Sequence, residues 1–323
     1  MIDDLTTRIE TIANAYEDIR LTAQQVVVSN QPLIEEIFIS MISGGHLLIE
    51  GVPGTAKTTV CKIIARLIGY EFRRVQGAVD IQPADIIGVR IYDRNKSEFI
   101  LQKGPIFTNF LMVDEMNRLT PKTQSALLEA MSERQATIDG TTYPLPDPYF
   151  VIATQNPHEA EGTFPLIEAQ CDRFMFSTVL NHLDGENELE VLRRERAGEL
   201  DVRIYRDRIA PLLSPAEVET MAAAAREVRV DEAVLGYMRD LVLATRRHGD
   251  IRLGASSRAS IALLRGSRVK AALSGRDYVI PDDVRALALP ALRHRILLTR
   301  EAAITGVTVE AVIAGIVESV GVS

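Results

Sequence analysis

Apolar residues at Leu5, Ile9, Ile12, Tyr16 and Ile19 recur in steps of four, three, four and three. A helix turns once every 3.6 residues, so this spacing puts all five on one face and predicts an opening amphipathic helix. Pro32 begins a second helix, because a proline in the first turn sacrifices an N–H that has no partner there anyway. That helix is expected to end at the Ser43-Gly44-Gly45 breaker. The pattern then changes. His46-Leu47-Leu48-Ile49-Glu50 is a short apolar run closed by Gly51, as expected of a buried strand. A helix carrying Val60, Ile63, Ile64, Leu67 and Ile68 follows and stops at Gly69. Strand, glycine-rich turn and helix in that order form the first half of a βαβ unit.

Residues 110–113 are a second apolar strand, and Pro121 lies near the start of a helix containing Leu127, Leu128 and Met131. Residues 135–145 read as a hairpin, since Asp139-Gly140 separates two β-favouring triplets and this dipeptide suits a two-residue turn. Residues 149–153 and 174–179 are further strands. Strands alternating with helices predict a three-layer α/β/α domain with a parallel sheet over residues 1–180. Residues 181–323 change character: strand-like runs become rare, and alanine, leucine and charge dominate. Ser214-Pro215-Ala216-Glu217 combines an N-cap serine, a proline at the first helical position and a glutamate at the third, so a helix starts there. Further helices are expected over 231–248, over 257–273 and from Pro281. The second domain is therefore a smaller, all-helical one. The chain contains no internal repeat and no low-complexity linker.

The 323 residues carry 36 basic and 44 acidic side chains, a formal charge of −8. With 46% hydrophobic and 25% charged residues, the composition excludes a disordered chain and a small disulfide scaffold. The acidic balance argues against a protein that coats nucleic acid, although residues 252–300 are locally basic. Cys61 and Cys171 stand alone, and the five histidines show no metal-ligand spacing, so a reducing compartment fits. The N-terminus lacks an apolar leader and no run is long enough to span a membrane, which predicts a cytoplasmic protein without membrane insertion.

The chemistry begins at Gly51-Val52-Pro53-Gly54-Thr55-Ala56-Lys57-Thr58, between a predicted strand and a predicted helix. Small residues let successive backbone N–H groups turn onto a phosphate, and the helix N-terminus adds partial positive charge. Lys57 would reach the β- and γ-phosphates, and the Thr58 hydroxyl would serve Mg²⁺. The GxxxxGK[ST] pattern has glycine where this chain has Ala56; a methyl group is the smallest departure, and the loop is expected to survive it. The second signal is Leu111-Met112-Val113-Asp114-Glu115, an apolar strand ending in two carboxylates. Asp114 would hold the metal's water shell and Glu115 would polarise the attacking water; solvated acids at a strand end are the bland alternative. Asn156, after the strand 149–153, is placed to orient that water, or else forms an Asn-Pro turn. Arg173 is either an arginine finger or half of a surface pair with Asp172. Arg258 either touches the nucleotide or is an exposed arginine near a helix start.

Taken in order, GVPGTAKT, LMVDEMNRLTPKTQSALLEAMSE, ATQNPHEAEGTFPLIEAQCDRF, GASSRAS and GRDYVIPDDV resemble the MoxR family of AAA+ ATPases, in the clade with an insert in the second helix. The resemblance covers about 22–296. It implies a five-stranded parallel core with a helical lid, ATP and Mg²⁺ as cofactors, and a ring of copies, usually a hexamer. It implies that Gly51, Val52, Pro53, Gly54, Thr55, Ala56, Lys57, Thr58 and Thr59 bind the nucleotide, and that Asp114 and Glu115 are the Walker B pair. Asn156 would be sensor 1, Arg173 the arginine finger and Arg258 sensor 2. Residues 79–103 would be the insert. The GASSRAS stretch has Ser257 where the family has proline. The activity implied is ATP hydrolysis driving chaperone-like remodelling, maturation or metal loading of a partner bearing a von Willebrand factor A domain. The motor of a magnesium-chelatase-like metal-insertion complex is the competing reading, with a nucleic-acid motor behind it.

Overall fold

The computed structural model describes residues 5–52, 54–156, 162–199 and 209–322. In chain order the N-terminal part contains α1 (Leu5–Gln24), α2 (Gln31–Ile42), β1 (Leu47–Gly51), α3 (Lys57–Leu67), β2 (Phe72–Gln76), α4 (Pro83–Ile87), β3 (Gly88–Asp93), β4 (Glu98–Lys103), β5 (Phe110–Asp114), α5 (Pro121–Glu133), β6 (Gln135–Ile138), β7 (Thr141–Pro144), β8 (Phe150–Gln155), α6 (Glu168–Cys171) and β9 (Phe176–Leu180). Then come α7 (Gly185–Arg196), α8 (Pro215–Glu227), α9 (Glu232–Arg247), β10 (Ile251–Leu253), α10 (Ser257–Leu273), α11 (Pro281–Leu292), β11 (Leu297–Leu298), α12 (Arg300–Ile304) and α13 (Val309–Ser319).

Five strands form one parallel sheet in the order β2-β5-β8-β1-β9. Their alternating side chains feed two apolar clusters. Leu47, Ile49, Phe110, Met112, Phe150, Ile152 and Phe176 face one layer, and Leu48, Leu111, Val113, Val151 and Ala153 face the other. Burial on both faces is why these strands read as continuous apolar runs. β2 is the exception. It lies at the sheet edge, its sequence is Phe-Arg-Arg-Val-Gln, and only Val75 is buried. Apolar patterning therefore finds four strands, and the fifth appears only in the sheet.

The register lines up the C-terminal ends of β1, β5 and β8: Glu50 lies opposite Gln155, and Gln76 opposite Asp114. In an open α/β sheet the crevice at these ends is where ligands bind. Between β2 and β5, residues 83–103 form α4 and the antiparallel β3–β4 hairpin. The β6–β7 hairpin turns at Asp139 and Gly140, whose φ of 48° and 77° are the left-handed values a tight hairpin requires.

The second part is helical, with a short antiparallel ribbon between β10 and β11. α1 packs on α2 and α3 and also on α8 and α10, so the opening helix bridges the two halves. Arg8 reinforces this through two parallel hydrogen bonds to Glu227, at 2.8 and 2.6 Å. Among the described residues no helix is long and apolar enough to cross a membrane, and no cluster of three His, Cys, Asp or Glu could hold a metal ion.

Candidate active site

A cavity of about 470 Å³ opens at the C-terminal ends of β1, β5 and β8. Gly51, Gly54, Thr55, Ala56, Lys57, Thr58, Thr59, Asp114, Glu115 and Asn156 all line it, together with Thr154 and Gln155. Val52 contributes through its carbonyl, which accepts hydrogen bonds from Lys57 Nζ and from Thr55 Oγ1, each at 3.1 Å. Pro53 lies outside the described residues.

The loop keeps its shape by left-handed backbone at two positions, Gly54 (φ 86°) and Ala56 (φ 55°). The first suits glycine. The second places an L-residue where the Cβ crowds the carbonyl, a strain of about 1–2 kcal/mol. Ala56 also stands directly before the first residue of α3, so Lys57 and Thr58 open that helix. Lys57 Nζ donates to the Gly51 carbonyl at 2.7 Å. Burial lowers the pKa of this ammonium, while Asp114 and Glu115 pull it back up.

One hydroxyl, to which the sequence reading gave no role of its own, bonds the Asp114 carboxylate and the Glu115 backbone. Thr154 Oγ1 donates to Asp114 Oδ1 at 2.6 Å and accepts from the Glu115 backbone N–H at 2.9 Å. Glu115 itself sits in left-handed backbone, φ 54° and ψ 51°, which turns its side chain out of the β5 direction. Three residues then hold the carboxylates from outside. Arg74 donates to Asp114 Oδ2 at 2.5 Å, Gln76 Nε2 donates to Glu115 Oε2 at 2.9 Å, and Arg118 pairs with Glu115 at 3.1 Å. Arg74 and Gln76 are on the edge strand that apolar patterning missed. Gly77 follows, and a Cβ there would sit 2.1 Å from the Glu115 carbonyl oxygen, so only glycine allows this approach. Near Asn156, Asn117 Nδ2 donates to its carbonyl at 3.4 Å.

A second, smaller slot of about 290 Å³ shares Gly54, Thr55, Ala56 and Thr59 with the first. Its other lining residues are Val26, Val27, Val28, Leu183 and Val191, with Asn30, His182 and Glu188. The only sequence signal for it was the Val26-Val27-Val28 run between the two N-terminal helices.

Arg173 and Arg258 are elsewhere. They line another cleft, of about 460 Å³, which shares no residue with the cavity at Lys57. Arg173 donates to the Leu128 carbonyl at 2.9 Å and to Ser132 Oγ at 3.0 Å. Arg258 lies 3.6 Å from Asp172 and is half exposed. Asp172 does not form the surface pair with Arg173 that the sequence allowed. Its carboxylate accepts from Arg295 Nε at 2.8 Å and from Ser256 Oγ at 2.8 and 2.9 Å.

Comparison with known proteins fits this geometry. Residues 46–176 match the model of the ATPase family associated with various cellular activities, and residues 243–316 match the AAA lid domain. The chain is 40% identical to the uncharacterized protein YeaC of Bacillus subtilis, over 92% of each chain. It is 37% identical to the chaperone MoxR1 of Mycobacterium tuberculosis, over 98% of this chain and 84% of that one. A crystal structure from Cytophaga hutchinsonii, described as that of a candidate ATPase, superposes with a TM-score of 0.90 at 39% identity, over 98% of this chain and 97% of that one.

Proposed function

We propose, from the premise that the chain belongs to the MoxR family of AAA+ ATPases, that it hydrolyses ATP at a site completed by a second copy of itself. The observation that carries this reading is the separation of the two halves. The phosphate-loop cavity holds Lys57, Asp114, Glu115 and Asn156, whereas Arg173 and Arg258 line a cleft that shares none of its residues. Head-to-tail contact between copies brings unlike faces together and closes into a ring. In such a ring the arginine cleft of one subunit meets the phosphate cavity of the next. Transition-state charge would then be stabilised in trans, an effect worth ~10³–10⁵ in rate in phosphate-loop enzymes.

Within one chain the roles follow from position. The loop amides and Lys57 bind the β- and γ-phosphates. The slot walled by Val26, Val27, Val28 and Val191 takes the adenine, being mostly apolar with Glu188, His182 and Asn30 as polar groups in its lining, and continuous with the phosphate loop. Thr58 and Asp114 offer hard oxygen donors in the same cavity, a set that fits Mg²⁺ with most of its waters retained. The bound ion supplies charge neutralisation on the phosphate oxygens. Glu115 accepts a proton from the attacking water, and Asn156 orients that water. Thr154 holds the Asp114 carboxylate and the backbone of Glu115 in place. The work would be chaperone-like remodelling or metal loading of a partner protein, one with a von Willebrand factor A domain being the class the family reading favours.

Two variants test the shared site. Glu115→Gln retains ATP binding and loses turnover, read by calorimetry and phosphate release. Arg173→Ala and Lys57→Ala are each inactive, and their mixture regains part of the activity because the defects fall in opposite halves. Mixed assemblies of demonstrated composition that stay inactive would refute completion in trans.

A further inference from the structure

We infer that a cleft between the two halves of the molecule, separate from the nucleotide cavity, is a binding site for a small phosphate-bearing anion. The cleft holds about 390 Å³ and is lined by Ser43, Gly44, Arg134, Arg226, Arg265 and Arg268, with apolar side chains between them. No carboxylate lines it. The four guanidiniums come from three elements: Arg134 from the bend after α5, Arg226 from α8, and Arg265 and Arg268 from α10.

Some arginines elsewhere in this chain have acidic partners, as Arg276 does with Asp283 and Arg295 with Asp172, and others bond carbonyls or hydroxyls, as Arg173 does with Leu128 and Ser132. Arg226, Arg265 and Arg268 find none among the described residues. Arg134 pairs with Asp147 at 3.1 Å, but that carboxylate is 72% exposed and strongly screened by water. Two donors in the lining, Arg268 Nε and Ser43 Oγ, are enclosed and have no hydrogen-bond partner among the described residues. Those two atoms have almost no surface toward the cleft, so the groups an anion there would meet are the other guanidinium N–H groups of Arg134, Arg226, Arg265 and Arg268, with no carboxylate among the lining residues to answer them.

The donor set defines that acceptor. The guanidinium groups are N–H donors only, and they approach from three elements rather than as one planar fork. A tetrahedral, multiply charged oxyanion satisfies such a set, whereas a single carboxylate leaves most of it unanswered. The volume suits one or two phosphate groups, not a nucleic-acid strand.

Position gives the site a consequence. Ser43 and Arg134 belong to the sheet-bearing half, and Arg226, Arg265 and Arg268 to the helical half. Gly44, Arg134 and Arg265 also line the neighbouring cleft that holds Arg173 and Arg258. An anion here ties the helical half to the core and stiffens the helix that carries Arg258.

The test uses the full chain with Lys57→Ala, which disables the phosphate loop, and titrates it with inorganic pyrophosphate in a calorimeter. One site per chain is expected, with a rise in melting temperature, and Arg265→Ser/Arg268→Ser weakens binding at least tenfold. If that pair of changes unfolds the protein, Arg226→Ser, at an exposed position, takes its place with a several-fold loss. Pyrophosphate uptake only in the chain that retains Lys57, or uptake unaffected by the arginine changes, overturns the assignment. So does a poly-glutamate peptide that binds and is not displaced by pyrophosphate. ATP binding by the unmodified chain tests the nucleotide reading separately.

Discussion

Asp172 and Arg295 are 123 residues apart in sequence and 2.8 Å apart in space, and through them the two halves of the molecule are joined. The Arg295 side chain is 3% exposed and also donates to the carbonyls of Phe174 at 2.6 Å and Met175 at 3.0 Å. Burial favours the neutral form of this guanidinium, and the Asp172 carboxylate opposes that. The same carboxylate takes the hydroxyl of Ser256, the N-cap of α10. One acidic side chain therefore sets the angle of the helix bearing Arg258.

Removing one partner of such a buried pair leaves the other uncompensated. Asp172→Ala is expected to cost about 3–5 kcal/mol. Asp172→Asn, which keeps an acceptor, costs less. Urea denaturation of both variants measures this, and equal stability of Asp172→Ala and the unmodified chain would contradict the clamp.

Thr154 bonds the Asp114 carboxylate and the Glu115 backbone N–H, the two residues proposed to act on the metal and the attacking water. Thr154→Val removes the hydroxyl and keeps the shape, so kcat should fall about 10–100-fold, as for outer residues that orient a metal site. Thr154→Ser restores most of it. The KM for ATP should change little, and a KM effect larger than the kcat effect would place Thr154 in binding instead.

Ala56 holds left-handed backbone that glycine adopts freely. Ala56→Gly relieves that strain but frees the unfolded chain, leaving a net gain of up to about 1 kcal/mol. Ala56→Val, branched at Cβ, is expected to lose stability and ATP affinity together. Thermal melts with and without ATP report both, and a clear loss in the glycine variant would contradict the strain.

Glu36 on α2 is held by Thr178 of β9, with Arg293 and Glu35 near it, and its Oε2 is enclosed without a hydrogen-bond partner among the described residues. Burial raises its pKa from 4.5 to about 7. The folded state therefore binds this proton more tightly than the unfolded chain does. The stabilisation is complete below about pH 4.5 and is lost as pH rises to about 7, a change of order 3 kcal/mol. Glu36→Gln should flatten stability over that window and melt higher than the unmodified chain at pH 8. His46 acts in the opposite sense. Burial lowers its pKa to about 4, so its contribution is present above pH 6.5 and lost as pH falls toward 4. Melting curves from pH 4.5 to 8 separate the two, and an unchanged slope in Glu36→Gln would reject the assignment to Glu36.

The sequence by itself determined whatever depends on neighbours along the chain. The phosphate loop is legible because strand, turn and helix are contiguous, and because backbone amides, Lys57 and Thr58 act within a few residues of one another. The β6–β7 hairpin is legible because Asp139-Gly140 dictates its turn, and α8 because Ser214 and Glu217 cap its start. Tertiary structure decided what depends on residues brought together from afar. β2 escapes patterning because it buries only Val75, unlike β9 at the other edge, yet it delivers Arg74 and Gln76 to the carboxylates. Thr154 becomes the support of Asp114 and Glu115 only when β8 pairs beside β5. Arg173 and Arg258 were identifiable as residues, but their distance from the phosphate cavity was not. Side-chain chemistry is written locally, whereas the partner that each charge meets is set by the packing of sheet against lid.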